Sequence, residues 1–200
     1  MIKTEVQDTL GESRDAYCLL ALLSEKTKRE LSILLKKLEE DLGEAIWVMP
    51  LEALHITLCE IIQSKDYNTN KEELYAKHSD EYENITAKTL KGYEPIGVSF
   101  DTIEVSPQAI IVKGTDNGSF ESIRKQLVND LPLPEKTKLP PTIIHSTIAR
   151  FRESVDVNNV KNIVKQNMIE VEEVVSEFKL IHLHVTPLLE YDTLRTYQLG

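Results

Sequence analysis

Leu54-His55-Ile56-Thr57-Leu58 and Ile144-His145-Ser146-Thr147-Ile148 repeat one pattern ninety residues apart, an apolar residue followed by H-x-T and an aliphatic residue. Side chains alternate faces along a strand, so His55 and Thr57 project from one face while Ile56 and Leu58 point to the other. His145 and Thr147 behave alike. Each strand therefore offers an imidazole beside a hydroxyl. A third H-x-T, His184-Val185-Thr186, is followed by Pro187 where the other two have an aliphatic residue. H-x-T alone thus says little, and the weight rests on the matched pair.

Working outward from the first motif, residues 16–23 read as a buried strand and 25–43 as an amphipathic helix closed by Gly43. Residues 45–49 form a short strand, and the Pro50 turn leads into the motif strand 54–62. The polar segment 71–91 has sparse apolar positions and reads as an exposed helix. After Gly92 and Pro95 the pattern restarts. Residues 97–105 and 109–113 make a hairpin, 119–131 a helix, and 131–141, with four prolines, a loop. The second motif strand spans 142–151, followed by a helix at 155–168. Residues 170–177 read as a solvated helix end or loop edge, 178–185 as a strand and 194–199 as a short closing strand. The two runs predict an α+β fold: one bilobal domain over 1–200, with pseudo-symmetric lobes at about 15–92 and 93–200. Each lobe is an antiparallel sheet with helices on its outer side, and the sheets face a central cleft.

Two imidazoles and two hydroxyls in one cleft suit phosphodiester chemistry. A neutral His takes a proton from the nucleophile, a protonated His gives one to the leaving oxygen, and the Thr hydroxyls donate to the non-bridging oxygens. The assignment is His55 and His145 as base and acid in either order, with Thr57 and Thr147 binding the phosphate. No metal and no cofactor are expected.

His55-Ile56-Thr57-Leu58 and His145-Ser146-Thr147-Ile148 resemble the motif pair of the two-histidine (2H) phosphoesterase superfamily. That group includes 2′,3′-cyclic nucleotide phosphodiesterases, bacterial 2′–5′ RNA ligase-like proteins, 2′,5′-oligoadenylate phosphodiesterases and AMP-binding domains of kinase-anchoring proteins. The resemblance spans nearly the whole chain. It implies motif strands central to two lobes, and a metal-independent phosphodiesterase acting on a 2′-linked phosphodiester. The substrate would be a 2′,3′-cyclic nucleotide, a 2′–5′ oligonucleotide or a cyclic oligonucleotide. The alternative is a non-catalytic nucleotide-binding module using the same cleft. Arg150 lies where many ligase-like members carry arginine after the second motif. Strict alternation points it away from Thr147, so a phosphate contact and a structural salt bridge stand as equal readings.

His182 and His184 share a strand face opposite Ile181, Leu183 and Val185, and would look onto a cleft or water. No neighbouring Asp, Glu or Cys completes a metal set in sequence, so a polar sheet face is the default reading. A secondary substrate wall and a metal-dependent hydrolase are the alternatives. His78, in the polar helix, reads as a surface residue. The 23 Lys and Arg against 33 Asp and Glu leave a net charge of −10, which disfavours long nucleic acid and favours a small nucleotide or short oligonucleotide. With 41% hydrophobic and 28% charged residues the chain reads as globular. Cys18 and Cys59 lie in apolar runs, implying buried thiols and a reducing, cytoplasmic setting. The longest apolar run, 16–23, is far short of the roughly 18–20 residues of a membrane span. A monomer is expected.

Overall fold

The first apolar run forms β1 (Ser13–Leu22) in the computed structural model, which describes residues 2–6, 10–64, 70–134, 137 and 141–200, apart from the Arg14 side chain. Ser24 then caps α1 (Glu25–Leu42), its hydroxyl accepting from the Thr27 N–H at 3.3 Å. Leu31, Leu34, Leu35 and Leu38 bury one stripe of that helix at i, i+3, i+4 and i+7. Gly43 ends it with φ 53°, a value that suits glycine. β2 (Ile46–Val48) and β3 (His55–Ile62) follow. Asn70 caps α2 (Lys71–Leu90) through Glu73 N. The sparse apolar pattern predicts an exposed α2, yet the helix buries Tyr82, Thr86, Thr89 and Leu90, an inner face made by an aromatic ring and threonines in place of an aliphatic stripe.

Next come β4 (Ile96–Val105), β5 (Ala109–Thr115), α3 (Ser119–Asp130), β6 (Ile144–Phe151), α4 (Val157–Val164), β7 (Val171–Val175), β8 (Glu177–Val185) and β9 (Glu190–Gln198). The expected loop at 131–141 lies partly outside the described residues. The helix expected over 155–168 is confined to α4, and the closing strand begins four residues earlier than expected.

These strands form two antiparallel sheets, ordered β3-β1-β8-β9 and β2-β6-β5-β4-β7. The architecture is α+β with four helices, as expected, but the lobes do not divide near residue 92. The C-terminal hairpin β8–β9 completes the sheet begun by β1 and β3, because two strands alone make a marginal sheet. β2 crosses the other way, pairing Trp47 with Arg150 of β6. Two helices cross as well: α1 packs on β2 and β7, and α3 on β3. β3 is consequently an edge strand rather than a central one, and it abuts β6 of the other sheet.

Residues 170–177, expected to be a solvated end, instead contain β7, paired with β4. Its alternation is inverted in chemistry: Glu173 is buried and Val174 exposed. The buried carboxylate accepts from Ser24 N at 2.8 Å and Val174 N at 2.9 Å, supplying an acceptor at the start of α1. Phe100, Phe120, Phe151 and Phe178 are fully buried in the core, with Phe120 edge-on to Phe178 at 5.6 Å. Among the described residues no helix is long and apolar enough to cross a membrane.

Candidate active site

β3 and β6 carry the two H-x-T motifs, and each contains the same irregularity. In β3, Leu19 pairs with Cys59 and Leu20 with Thr57, leaving Leu58 as the extra residue. In β6, Ile110 pairs with Ala149 and Ile111 with Thr147, leaving Ile148 extra. Both bulges fall three residues after the histidine, and each shifts the alternation by one. Leu58 and Cys59 are therefore both buried, as are Ile148 and Ala149. The residue five places after each histidine returns to the cleft face. That residue is Glu60 in β3 and Arg150 in β6, so the orientation of Arg150 expected from strict alternation is reversed by the Ile148 bulge. His55, Thr57, Glu60, His145, Thr147 and Arg150 all line one cavity of about 520 Å³. Cys18 and Leu20 of β1 and Leu183 of β8 contribute an apolar wall.

The two imidazoles are held alike but not identically. His55 Nδ1 lies 2.7 Å from the Ala53 carbonyl, so Nδ1–H donates and Nε2 is left as an acceptor. The Ile143 carbonyl, also two residues back, favours the protonated form of His145, although His145 Nδ1 makes no hydrogen bond of ordinary geometry. Burial holds both histidines below the usual imidazole range, and the guanidinium of Arg150 pushes both further down. His145 lowers His55 as well, while Arg124 lowers and Glu104 raises His145.

Arg150 Nε is buried and, among the described residues, makes no hydrogen bond or ion pair. The salt-bridge reading of Arg150 therefore has no partner there, and an unpaired buried donor in a cleft is a natural anion contact. Arg124, overlooked in the sequence, is 5% exposed on α3. It donates to Thr57 O at 2.7 Å, Leu58 O at 3.0 Å and Ile143 O at 3.1 Å. It thereby ties the β3 bulge to the entry of β6 and fixes the two motifs relative to each other. Burial pushes its guanidinium down to about 10, still charged at neutral pH. Glu60 and Gln108 of the cavity wall were also missed.

His182 and His184 are not part of this cleft. Leu183 lines the cavity, so its neighbours project from the opposite face of the sheet, and neither a substrate wall nor a metal acting at the cleft fits them. Thr186 does line the cavity, because β8 ends at Val185, which separates the two halves of the third H-x-T. His78 is partly buried and paired with Glu81 at 2.8 Å.

A two-sheet α+β protein with paired H-x-T strands facing a cleft has the form of a phosphoesterase. The family model of the 2′-5′ RNA ligase superfamily matches residues 28–187, and the chain belongs to that superfamily, the 2H phosphoesterases. Its fold is similar to TT0787 of Thermus thermophilus, at a TM-score of 0.66 and 16% identity over 92% of this chain and 97% of that one. It is also similar to E. coli LigT complexed with 3′-AMP, at a TM-score of 0.56 and 12% identity over 94% and 99%. The MHV ns2 PDE domain aligns with a TM-score of 0.52 and 13% identity over 85% and 99%. No curated protein sequence matches the chain.

Proposed function

We propose that this protein is a metal-independent phosphodiesterase that opens or cleaves a phosphodiester involving a ribose 2′-oxygen, with a small nucleotide or short oligonucleotide as substrate. The observation that carries this reading is the repeated bulged strand, which brings His55, Thr57, His145, Thr147 and Arg150 to one cavity. About 520 Å³ is in the range of small-ligand sites and suits a nucleotide better than a long strand. The net charge of −10 points the same way, since the local cation Arg150 must hold the phosphate without help from a basic surface. The 3′-AMP complex of LigT and the phosphodiesterase designation of the ns2 domain support the substrate class.

In the proposed reaction His55 acts as base and His145 as acid. His55 Nδ1–H is engaged by Ala53, leaving Nε2 unprotonated to take the proton of an attacking water. The water oxygen bonds to phosphorus as the phosphorus–ribose oxygen bond breaks, and His145 gives its proton to the departing oxygen. The His145 ring takes the acid role because its Nδ1, unlike that of His55, is not held by a hydrogen bond that fixes a neutral tautomer. Thr57, Thr147 and Arg150 donate to the non-bridging oxygens as their charge grows. Proton exchange with solvent then resets both rings.

The test is product analysis by chromatography and mass spectrometry in EDTA, with 2′,3′-cyclic mononucleotides, 2′–5′ oligoadenylates and cyclic oligonucleotides. Turnover by wild type, reduced about 10²–10⁴-fold in His55→Ala and in His145→Ala, is expected. Nucleotide binding without turnover of any of these would replace the enzyme reading with that of a binding module.

A further inference from the structure

The outer face of the first sheet holds a second cluster of chemistry-bearing side chains. His182 and His184 project from β8, and the flanking strands place a carboxylate on each side: β1 brings Asp15 and β9 brings Asp192, the register partner of His182. Residues distant in sequence thus complete a set that the local sequence around 182–184 lacks. One donor atom each from Asp15, His182 and His184 lies within 4.8 Å of the other two. His182 Nε2 is 3.5 Å from Asp15 Oδ1, and His184 Nε2 is 2.9 Å from Asp192 Oδ2. Donors at about 2.0–2.2 Å from a tetrahedral zinc stand roughly 3.3–3.6 Å from one another, so only small side-chain shifts are needed.

The pair is also preorganised. The His182 ring stacks on Tyr17 at 4.3 Å and 8°, and Tyr17 stacks on Tyr75 of α2 at 4.2 Å and 6°. This column fixes the plane of the imidazole without engaging its nitrogens. His182 Nε2 is buried and makes no hydrogen bond of ordinary geometry, the Asp15 oxygen being too far. The second ring sits 4.2 Å away by centroid. Two adjacent imidazoles with a buried nitrogen turned toward a carboxylate are poorly explained as a solvated sheet face. Lys71, the nearby cation from α2, reaches the Asp15 backbone carbonyl and leaves the carboxylate to the cluster.

We propose that Asp15, His182 and His184 bind one late first-row divalent cation, with Zn²⁺ the natural occupant. Two imidazole nitrogens and one carboxylate oxygen form a donor set zinc commonly uses, and they select it over Mg²⁺ and Ca²⁺, which take oxygen ligands. Asp192 supplies the carboxylate that holds a metal-bound imidazole in orientation. The ion would tie together β1, β8 and β9, fastening the C-terminal hairpin to the sheet that carries His55. It lies on the face opposite the cleft and takes no part in the proposed reaction, so it stands or falls independently of that reading.

The test is isothermal titration of the untagged, metal-stripped full chain with Zn²⁺, with the visible absorption of bound Co²⁺ as a second readout. One equivalent is expected to bind with a Kd below about 100 µM. It should be unaffected by millimolar Mg²⁺ and weakened at least about tenfold in His184→Gln and in Asp15→Asn. The His55→Ala/His145→Ala variant should bind as wild type, and Zn²⁺ should raise the Tm of wild type but not of His182→Gln/His184→Gln. His184→Gln leaves the Tyr17 stack intact, and circular dichroism checks that each variant folds. Absence of saturable one-to-one binding, binding that survives His182→Gln/His184→Gln, or binding lost in the cleft variant would each overturn the site.

Discussion

His55 and His145 owe their chemistry to what touches them rather than to being histidines. The Ala53 carbonyl steers the His55 ring, and burial together with Arg150 keeps both rings in the neutral form more readily than in water. Ser146, between His145 and Thr147, shows the opposite case. It faces the core fully buried, and its hydroxyl has no hydrogen-bond partner among the described residues. Such a group costs about 1–3 kcal/mol of desolvation, so Ser146→Ala is expected to raise stability by about 1 kcal/mol without altering turnover. Denaturant unfolding together with kcat/KM checks this, and a loss of stability would mean that the hydroxyl has a partner in the folded protein.

At the scale of elements, the bulges at Leu58 and Ile148 and the clamp from α3 set the site. Arg124→Met keeps bulk but leaves the carbonyls of Thr57, Leu58 and Ile143 without their donor. A loss of about 2–4 kcal/mol in urea unfolding is expected, with kcat reduced even under conditions where the variant is fully folded. Unchanged kcat in the folded variant would show that Arg124 stabilises the fold without positioning the motifs. The motifs, the strands bearing them and the capped helix α1 were legible in sequence because each is a local pattern. The orientation of Arg150 was not, since a bulge is a property of two paired strands and leaves no mark on either alone. β7 was hidden because Glu173 occupies an inward position that apolar periodicity assigns to a hydrophobic residue. The crossing of β2 and of the C-terminal hairpin was equally hidden: it depends on which sheet edge stands open, and no segment of sequence carries that information.

For the whole molecule, the buried histidines link the site to stability. Their folded-state values lie below the ordinary imidazole pKa of about 6.5, so as pH falls through that value the unfolded chain takes up protons the folded chain resists. Their contribution to stability is complete above about pH 6.5 and declines below it. The Tm of wild type is expected to fall between about pH 7.5 and pH 5.5, and the fall should be smaller in His55→Asn/His145→Asn, where these groups no longer titrate. An equal fall in both would show that carboxylates, and not these rings, set the acid limb. The same two rings must occupy opposite protonation states during turnover, which is the central claim of the proposed mechanism. It is tested most directly by the pH dependence of kcat/KM in EDTA for the substrate turned over fastest. The mechanism predicts a bell centred on the acid side of neutrality, with its acidic limb set by His55 and its basic limb by His145. A profile that rises or falls monotonically from about pH 5 to pH 9, or activity abolished by the chelator, would contradict it.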